Sequence, residues 1–258
     1  MTRELQRATF NRSALVRVLS DTTPEVSDPK YDFGERLGQW LDFSDALALF
    51  SVLNSSTGTS PAALEKPNAS ARNLQDQLAR VRHILSESIL NDGVFSPETA
   101  KIRFPTPLPN ASAEQAAEFS PYHRYYLAHQ RDMSSAISAL RSNARKALAP
   151  LSPARKQLAE LDLSFEKFLA GRERNLLANI PILLAKRFAL RYEEHRTSLA
   201  DGSSDDPATW ATPGSWLEAF CRDAQAVLIA ELELRLKPVA GLIAALGSPG
   251  ETNETTPQ

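Results

Sequence analysis

The sequence predicts an all-α protein, and three observations carry that expectation. Wherever the apolar residues are regular they recur at steps of three and four. No run of strict apolar–polar alternation long enough for a strand lies between Gly or Asn-Gly turns. The leucine-rich stretches end at proline signals such as Thr23-Pro24, Asp28-Pro29 and the Pro150 to Pro153 segment. The expected architecture is an elongated antiparallel helical bundle with coiled-coil-like long helices.

Taken in order, a first short helix is expected from Ser13 to Leu19, capped by Asn11 or Ser13, with Leu15, Val18 and Leu19 pointing inward. Phe33 to Leu53 is the most hydrophobic candidate, apolar round much of its circumference, and such a helix is expected to be central. Asn54 to Pro67, rich in Ser, Thr, Gly and Pro, reads as a flexible linker. Ser70 opens a long helix to about Asn91, with Leu74, Leu78, Val81 and Leu85 spaced as a heptad seam. Three prolines between Phe104 and Pro109 predict an extended connector. The main organisational boundary is placed there, dividing an N-terminal helical region (1–109) from a long-helix hairpin plus C-terminal helix (110–246).

Beyond that boundary, Met133, Ile137, Leu140, Ala144 and Leu148 mark one stripe on a helix from about 121 to 148. A second helix starts at Pro153 and carries Leu158, Leu161, Phe165 and Phe168. The short connection makes the two antiparallel neighbours. Pro181 is expected to kink the second helix, which continues to about Leu199. Asp201 to Pro213 reads as a loop, Ser215 as the cap of a last helix bent at Pro238, and residues 247–258 as a disordered tail.

The chain has 258 residues, of which 42% are hydrophobic and 23% charged, values of ordinary globular domains that exclude collagenous, mucin-like and wholly disordered classes. One cysteine, Cys221, cannot build a disulfide framework. Neither a signal peptide nor a membrane span is read, so a cytoplasmic location is the default. Charge is uneven: residues 1–120 hold 12 basic and 15 acidic side chains, 121–196 hold 14 and 7, and 197–258 hold 3 and 9. The basic middle can meet nucleic acid, or the acidic flanks can neutralise it by packing alongside, which is the favoured expectation.

His83, His123, His129 and His195 form no metal-binding spacing, and no phosphate-binding glycine loop occurs, so neither a metal, a cofactor nor a catalytic residue is assigned. Asp42 and Asp45 lie three apart on an apolar helix and offer a paired acid/base site, although a solvated or arginine-paired role is the preferred reading. Tyr122, Arg124, Tyr125, Tyr126 and Arg131 interleave rings with positive charge, as a single-stranded nucleic-acid surface does. The same pattern is seen where tyrosines snorkel from a bundle. Arg172 and Arg174 belong to a basic series running to Arg196, expected to be solvated or paired with nearby glutamates. Cys221 reads as a buried structural thiol.

The run from Phe33 through Trp40, Asp42 and Asp45 to Ala46, the block Tyr122 to Met133, and Gly171-Arg172-Glu173-Arg174 with the helix to Arg196 resemble a helical family of beta-proteobacteria and relatives, designated as a domain of unknown function. The resemblance spans roughly Phe10 to Leu246. Its members are often encoded beside MotA/TolQ-type stator subunits and an OmpA-like peptidoglycan-binding protein, which implies a cytoplasmic accessory of an envelope-spanning motor-like complex. It carries over no catalytic residues.

The leading expectation is a non-enzymatic helical interaction or scaffold protein that binds a protein partner or itself through its seams, with candidate residues Trp40, Asp42, Asp45, Tyr122, Arg124, Tyr125, Tyr126, Arg131, Arg172 and Arg174. The alternative is a nucleic-acid-binding helical module that uses segment 122–146, including Arg141, Arg145 and Lys146. A third is a hydrolase built on Asp42 and Asp45.

Overall fold

A computed structural model describes residues 13–22, 38–54, 67–91, 100–108, 110–199 and 205–247. The expected linker after Asn54, the tail beyond Gly247 and the first part of the loop at 201–213 lie largely outside the described residues, as does Phe33 to Leu37. The helices are α1 (Ala14–Thr22), α2 (Phe43–Asn54), α3 (Pro67–Leu90), α4 (Ala113–Ala116), α5 (Ser120–Leu148), α6 (Pro153–Leu177), α7 (Ile180–Ser198) and α8 (Trp216–Gly247), with a 3₁₀ turn at Pro207–Thr209. Among the described residues there is no strand.

Local chemistry explains the helix ends. Ser112 opens α4 with a reciprocal capping box to Gln115, Ser152 accepts from the Arg155 amide at the start of α6, and Pro153 occupies the first turn. Ser215 accepts from the Glu218 amide at 3.3 Å, as the sequence predicts for the cap of α8. The Glu218 carboxylate reaches back to the Gly214 amide at 2.7 Å, and that bond, opposed by partial burial and aided by Arg222, lowers its pKa. Gly214 has φ +83, a left-handed turn that a side chain would strain.

Along its whole length α8 buries a broad, mainly apolar face, 17 of its 32 residues, and it packs against α3, α5, α1 and α7. Side-chain pairs give the directions. Arg82 of α3 meets Glu233 and Gln225 meets the end of α3 at Ile89, so these two helices are antiparallel. Tyr126 meets Glu231 and Ser134 meets Arg235, so α5 and α8 run parallel. Arg141 and Arg145 of α5 both reach Asp162 of α6, so the two helices lie side by side beyond the connection from Leu148 to Pro153. Phe104, in the proline-bearing connector, inserts among Tyr122, Tyr125 and Phe220 with ring centroids 5.3, 5.2 and 6.3 Å away. The apolar core therefore runs from Leu15 and Leu74 through Phe104 to Leu246, on both sides of the boundary placed at residue 109.

Three expectations need correction. Phe33 to Leu53 is not one central helix in its described part: residues 38–40 are helical, 41–42 are not, and α2 starts at Phe43. It lies at the periphery, packed on α6 with Leu49 its one buried residue, because α8 already fills the centre. The kink expected at Pro181 is a break. The chain leaves helical hydrogen bonding around Ala178 and Asn179, and Pro181 sits in the first turn of α7, where its missing amide costs nothing. Finally, α3 opens at Pro67 rather than Ser70, for the same reason.

Candidate interaction surface

The break at Leu41 is created by Asp42, whose carboxylate caps α2. Its Oδ1 accepts from the Ser44 hydroxyl at 2.7 Å and the Asp45 amide at 2.8 Å. These bonds, the Ser44 hydroxyl first, hold the Asp42 carboxyl below its usual range, with a further contribution from Arg172. The two aspartates spaced by three are a helix start. One oxygen of the Asp42 carboxylate, Oδ1, is engaged in the cap.

Two side chains of α6 fasten α2 at its ends. Arg172 Nη2 donates to the Trp40 carbonyl at 2.7 Å while its guanidinium lies 5.7 Å from the Trp40 ring. At the other end Gln157 Nε2 donates to the carbonyls of Val52 and Leu53, each at 3.0 Å, two acceptors that a helix C-terminus leaves without partners. The pairing of Trp40 with Arg172 and of Val52 with Gln157 makes α2 antiparallel to α6.

Asp45, Leu49 and Val52 form the better-covered face of α2. At 100° per residue, Phe43, Leu47 and Phe50 point the opposite way. They are 85%, 58% and 64% exposed, and Leu53 on the flank is 59% exposed. From Ala46 to Asn54 the helix carries no charged residue. Together these four side chains present roughly 500 Å² of apolar surface, at 150–250 Å² for a whole aromatic side chain. That is the size of the largest apolar patch on a typical monomer.

The structure thus gathers Trp40, Asp42, Asp45 and Arg172 at one place and disperses the other candidates. Tyr122, Tyr125 and Tyr126 are buried in the core, so their faces are packed against protein rather than open to bases. Burial raises the pKa of Tyr122 and Tyr126. Arg124 and Arg131 are exposed on α5, as is Lys146, whereas Arg141 and Arg145 pair with Asp162 and Glu166. Arg174 lies apart, at an open pocket of about 360 Å³ between α5, α6 and α8. The acidic C-terminal segment does meet the basic middle: Asp223 accepts from both Arg187 and Arg191 at 2.9 Å.

Two features escaped sequence reasoning. The Phe43, Leu47, Phe50 spacing was visible, but periodicity alone assigns such a stripe inward. The second is Glu231, fully buried on α8. It accepts from the Tyr126 hydroxyl at 2.7 Å, Gln130 Nε2 at 3.0 Å and Arg235 Nη2 at 2.7 Å. A lone carboxylate between Ala230 and Leu232 was the available signal.

A third place brings a histidine and a carboxylate together. His195 Nε2 lies 3.0 Å from Asp205 Oδ1, which also accepts from Trp210 Nε1 at 2.6 Å, beside an open pocket of about 540 Å³. The hydroxyls of Ser198, Thr209, Thr212 and Ser215 that line it all donate to main-chain carbonyls. Those of Thr209, Thr212 and Ser215 build the turn into α8, and that of Ser198 closes the end of α7. Among the described residues no group of three or more His, Cys, Asp or Glu side chains is placed to hold a metal ion, and no helix is long and apolar enough to cross a membrane.

A family model described as a protein of unknown function, DUF3348, matches residues 1–248. Neither a curated protein nor a solved structure matches the chain.

Proposed function

This chain belongs to the DUF3348 family, and we propose that it is a non-enzymatic helical interaction protein whose α2 presents Phe43, Leu47 and Phe50 to a partner helix. The observation that carries the proposal is a helix docked by one face on α6 with the opposite apolar face open to solvent. A stripe at steps of four and three is the pattern by which an amphipathic helix fits another. The ends of α2 are held by Arg172 and Gln157, so the face is presented on a fixed support, which lowers the ordering cost of binding.

The setting assigned to it, a cytoplasmic accessory of an envelope-spanning motor-like complex, rests on the resemblance to proteins encoded beside MotA/TolQ-type and OmpA-like partners. The test compares the tagged wild-type chain with the F43S/L47S/F50S variant in native cells, and measures both the co-purifying proteins and the self-associated fraction. The expected result is loss of at least one of these with the fold retained by circular dichroism. An identical captured set and identical self-association in both would overturn the proposal.

A further inference from the structure

The occupant of the α2 face can be argued from the face itself, on the premise that this face is an interaction surface. We infer that it is a second copy of this chain, with α2 packed antiparallel against its counterpart across a two-fold axis.

Charge is the first argument. An isologous contact sets each residue near the equivalent region of the other copy, so charges at its centre would face like charges. The stretch Ala46 to Asn54 holds none. The charged pair Asp42 and Asp45 sits at one end of α2, and an antiparallel arrangement carries the two copies' acids to opposite ends of the contact. A parallel arrangement would bring them together.

Spacing is the second. Positions 43, 47, 50 and 54 are separated by 4, 3 and 4, a series that reads the same in either direction. Leu47 of one copy then falls opposite Phe50 of the other, and Phe43 opposite the end of the helix at Leu53 and Asn54. The large side chains interleave with smaller ones, as close packing requires.

Area is the third. Two faces of roughly 500 Å² give about 1,000 Å² of apolar burial, and the serine and alanine flanks bring the total to the lower edge of the 1,200–2,000 Å² range of specific interfaces. The dimer is expected to be reversible, with a monomer populated on dilution.

The experiment is light scattering on the purified full chain across a concentration series, with F43S/L47S/F50S alongside, plus a nitroxide label attached in the Ser51→Cys variant and read by pulsed electron resonance. Cys221 is buried and stays unlabelled. The expected mass is twice 28.4 kDa for the wild type and 28.4 kDa for the variant, with a label separation under about 25 Å, set by the 8–10 Å spacing of packed helices plus the label arms. A dimer that persists in the variant, or labels far apart, would overturn the inference. A monomeric wild type whose co-purifying protein is lost in the variant would overturn it too, while leaving the α2 face as an interaction surface. Monomers in both, with no captured protein lost, would remove both conclusions.

Discussion

Glu231 shows what a single side chain contributes here. Its carboxylate has no exposure to solvent and accepts from Arg235, Tyr126 and Gln130, while Arg235 also reaches Glu173 at 3.5 Å. Removing one member of a buried ion pair costs more than the pair contributes, because the remaining charge stays desolvated. Glu231→Ala is therefore expected to destabilise the fold by about 3–5 kcal/mol, and Tyr126→Phe by about 1–3 kcal/mol through one lost charged hydrogen bond, both read from urea denaturation. A Glu231→Ala midpoint equal to the wild type would refute the role given to the network. His129 titrates in the opposite sense to most histidines that gain a partner. It is buried against the Tyr125 ring, its Nε2 has no hydrogen-bond partner, and desolvation pushes its pKa down to about 4, partly opposed by Asp132 and slightly reinforced by Lys101. Between the ordinary value of 6.5 and 4, the unfolded chain takes a proton that the native chain refuses. Stability is thus full above pH 6.5 and falls as the pH drops toward 4, by up to about 3 kcal/mol at 1.36 kcal/mol per unit. In His129→Gln, whose side chain has no proton to gain, the slope of urea midpoint against pH between 7 and 4.5 should flatten relative to the wild type. Equal slopes would show that carboxylates alone set the acid limit. Residues such as these are the least legible in a sequence: Tyr122, Tyr125 and Tyr126 alternate with charges in the chain, but their burial is decided by Phe104 and α8, far away in sequence.

One device recurs at the level of the element. Gln157 donates to the last carbonyls of α2, and Gln225 donates to those of α3 at Ile89 and Leu90, 3.1 and 3.3 Å away. In both cases a glutamine on the neighbouring helix satisfies acceptors that the helix end would otherwise leave to water, and thereby fixes how far the two helices slide past each other. Gln157→Ala is expected to cost about 1 kcal/mol and to raise amide exchange throughout α2 while α3, α5 and α8 keep their protection. Uniform exchange across all helices would mean that α2 does not open as its own unit. Spacing made α3 and α5 readable, since each buries a single stripe: Leu74 and Leu85, or Met133, Ile137, Leu140, Ala144 and Leu148. In α6 the expected stripe of Leu158, Leu161, Phe165 and Phe168 is not buried, and Ala159 and Leu177 are. Spacing failed for α2 because a helix apolar on two faces looks the same whether both are covered by its own chain or one waits for another. The break before α7 was blurred for a related reason, since Pro181 is compatible with a kink and with a first turn.

For the whole molecule, α8 decides whether there is one core or several. Residues on both sides of the proline-bearing connector pack on it, α3 antiparallel and α5 parallel, and its Asp223 and Glu233 pair with Arg187 and Arg191 of α7 and with Arg82 of α3. The uneven charge of the sequence is partly resolved in this way, by contact between the acidic end and the basic middle. Beyond Pro238, an interior proline that removes one helical hydrogen bond, α8 continues and buries Val239, Leu242, Ile243 and Leu246. If that end were an accessory extension, a chain ending at Leu236 would fold. The register says otherwise: continuing the antiparallel pairing of Gln225 with Ile89 and Glu233 with Arg82 sets this end opposite Ala71 and Leu74, the first buried turns of α3. Four fully buried aliphatic side chains stabilise by about 1.5–3 kcal/mol each, roughly 6–12 kcal/mol, against a total of about 5–15 kcal/mol for a domain. The 1–236 truncation is therefore expected to lose cooperative unfolding altogether and to expose α3 to protease within minutes, whereas a truncation after Gly247 keeps the wild-type melt. A 1–236 chain with a sharp thermal transition and protected α3 would show that the core is built in two independent parts.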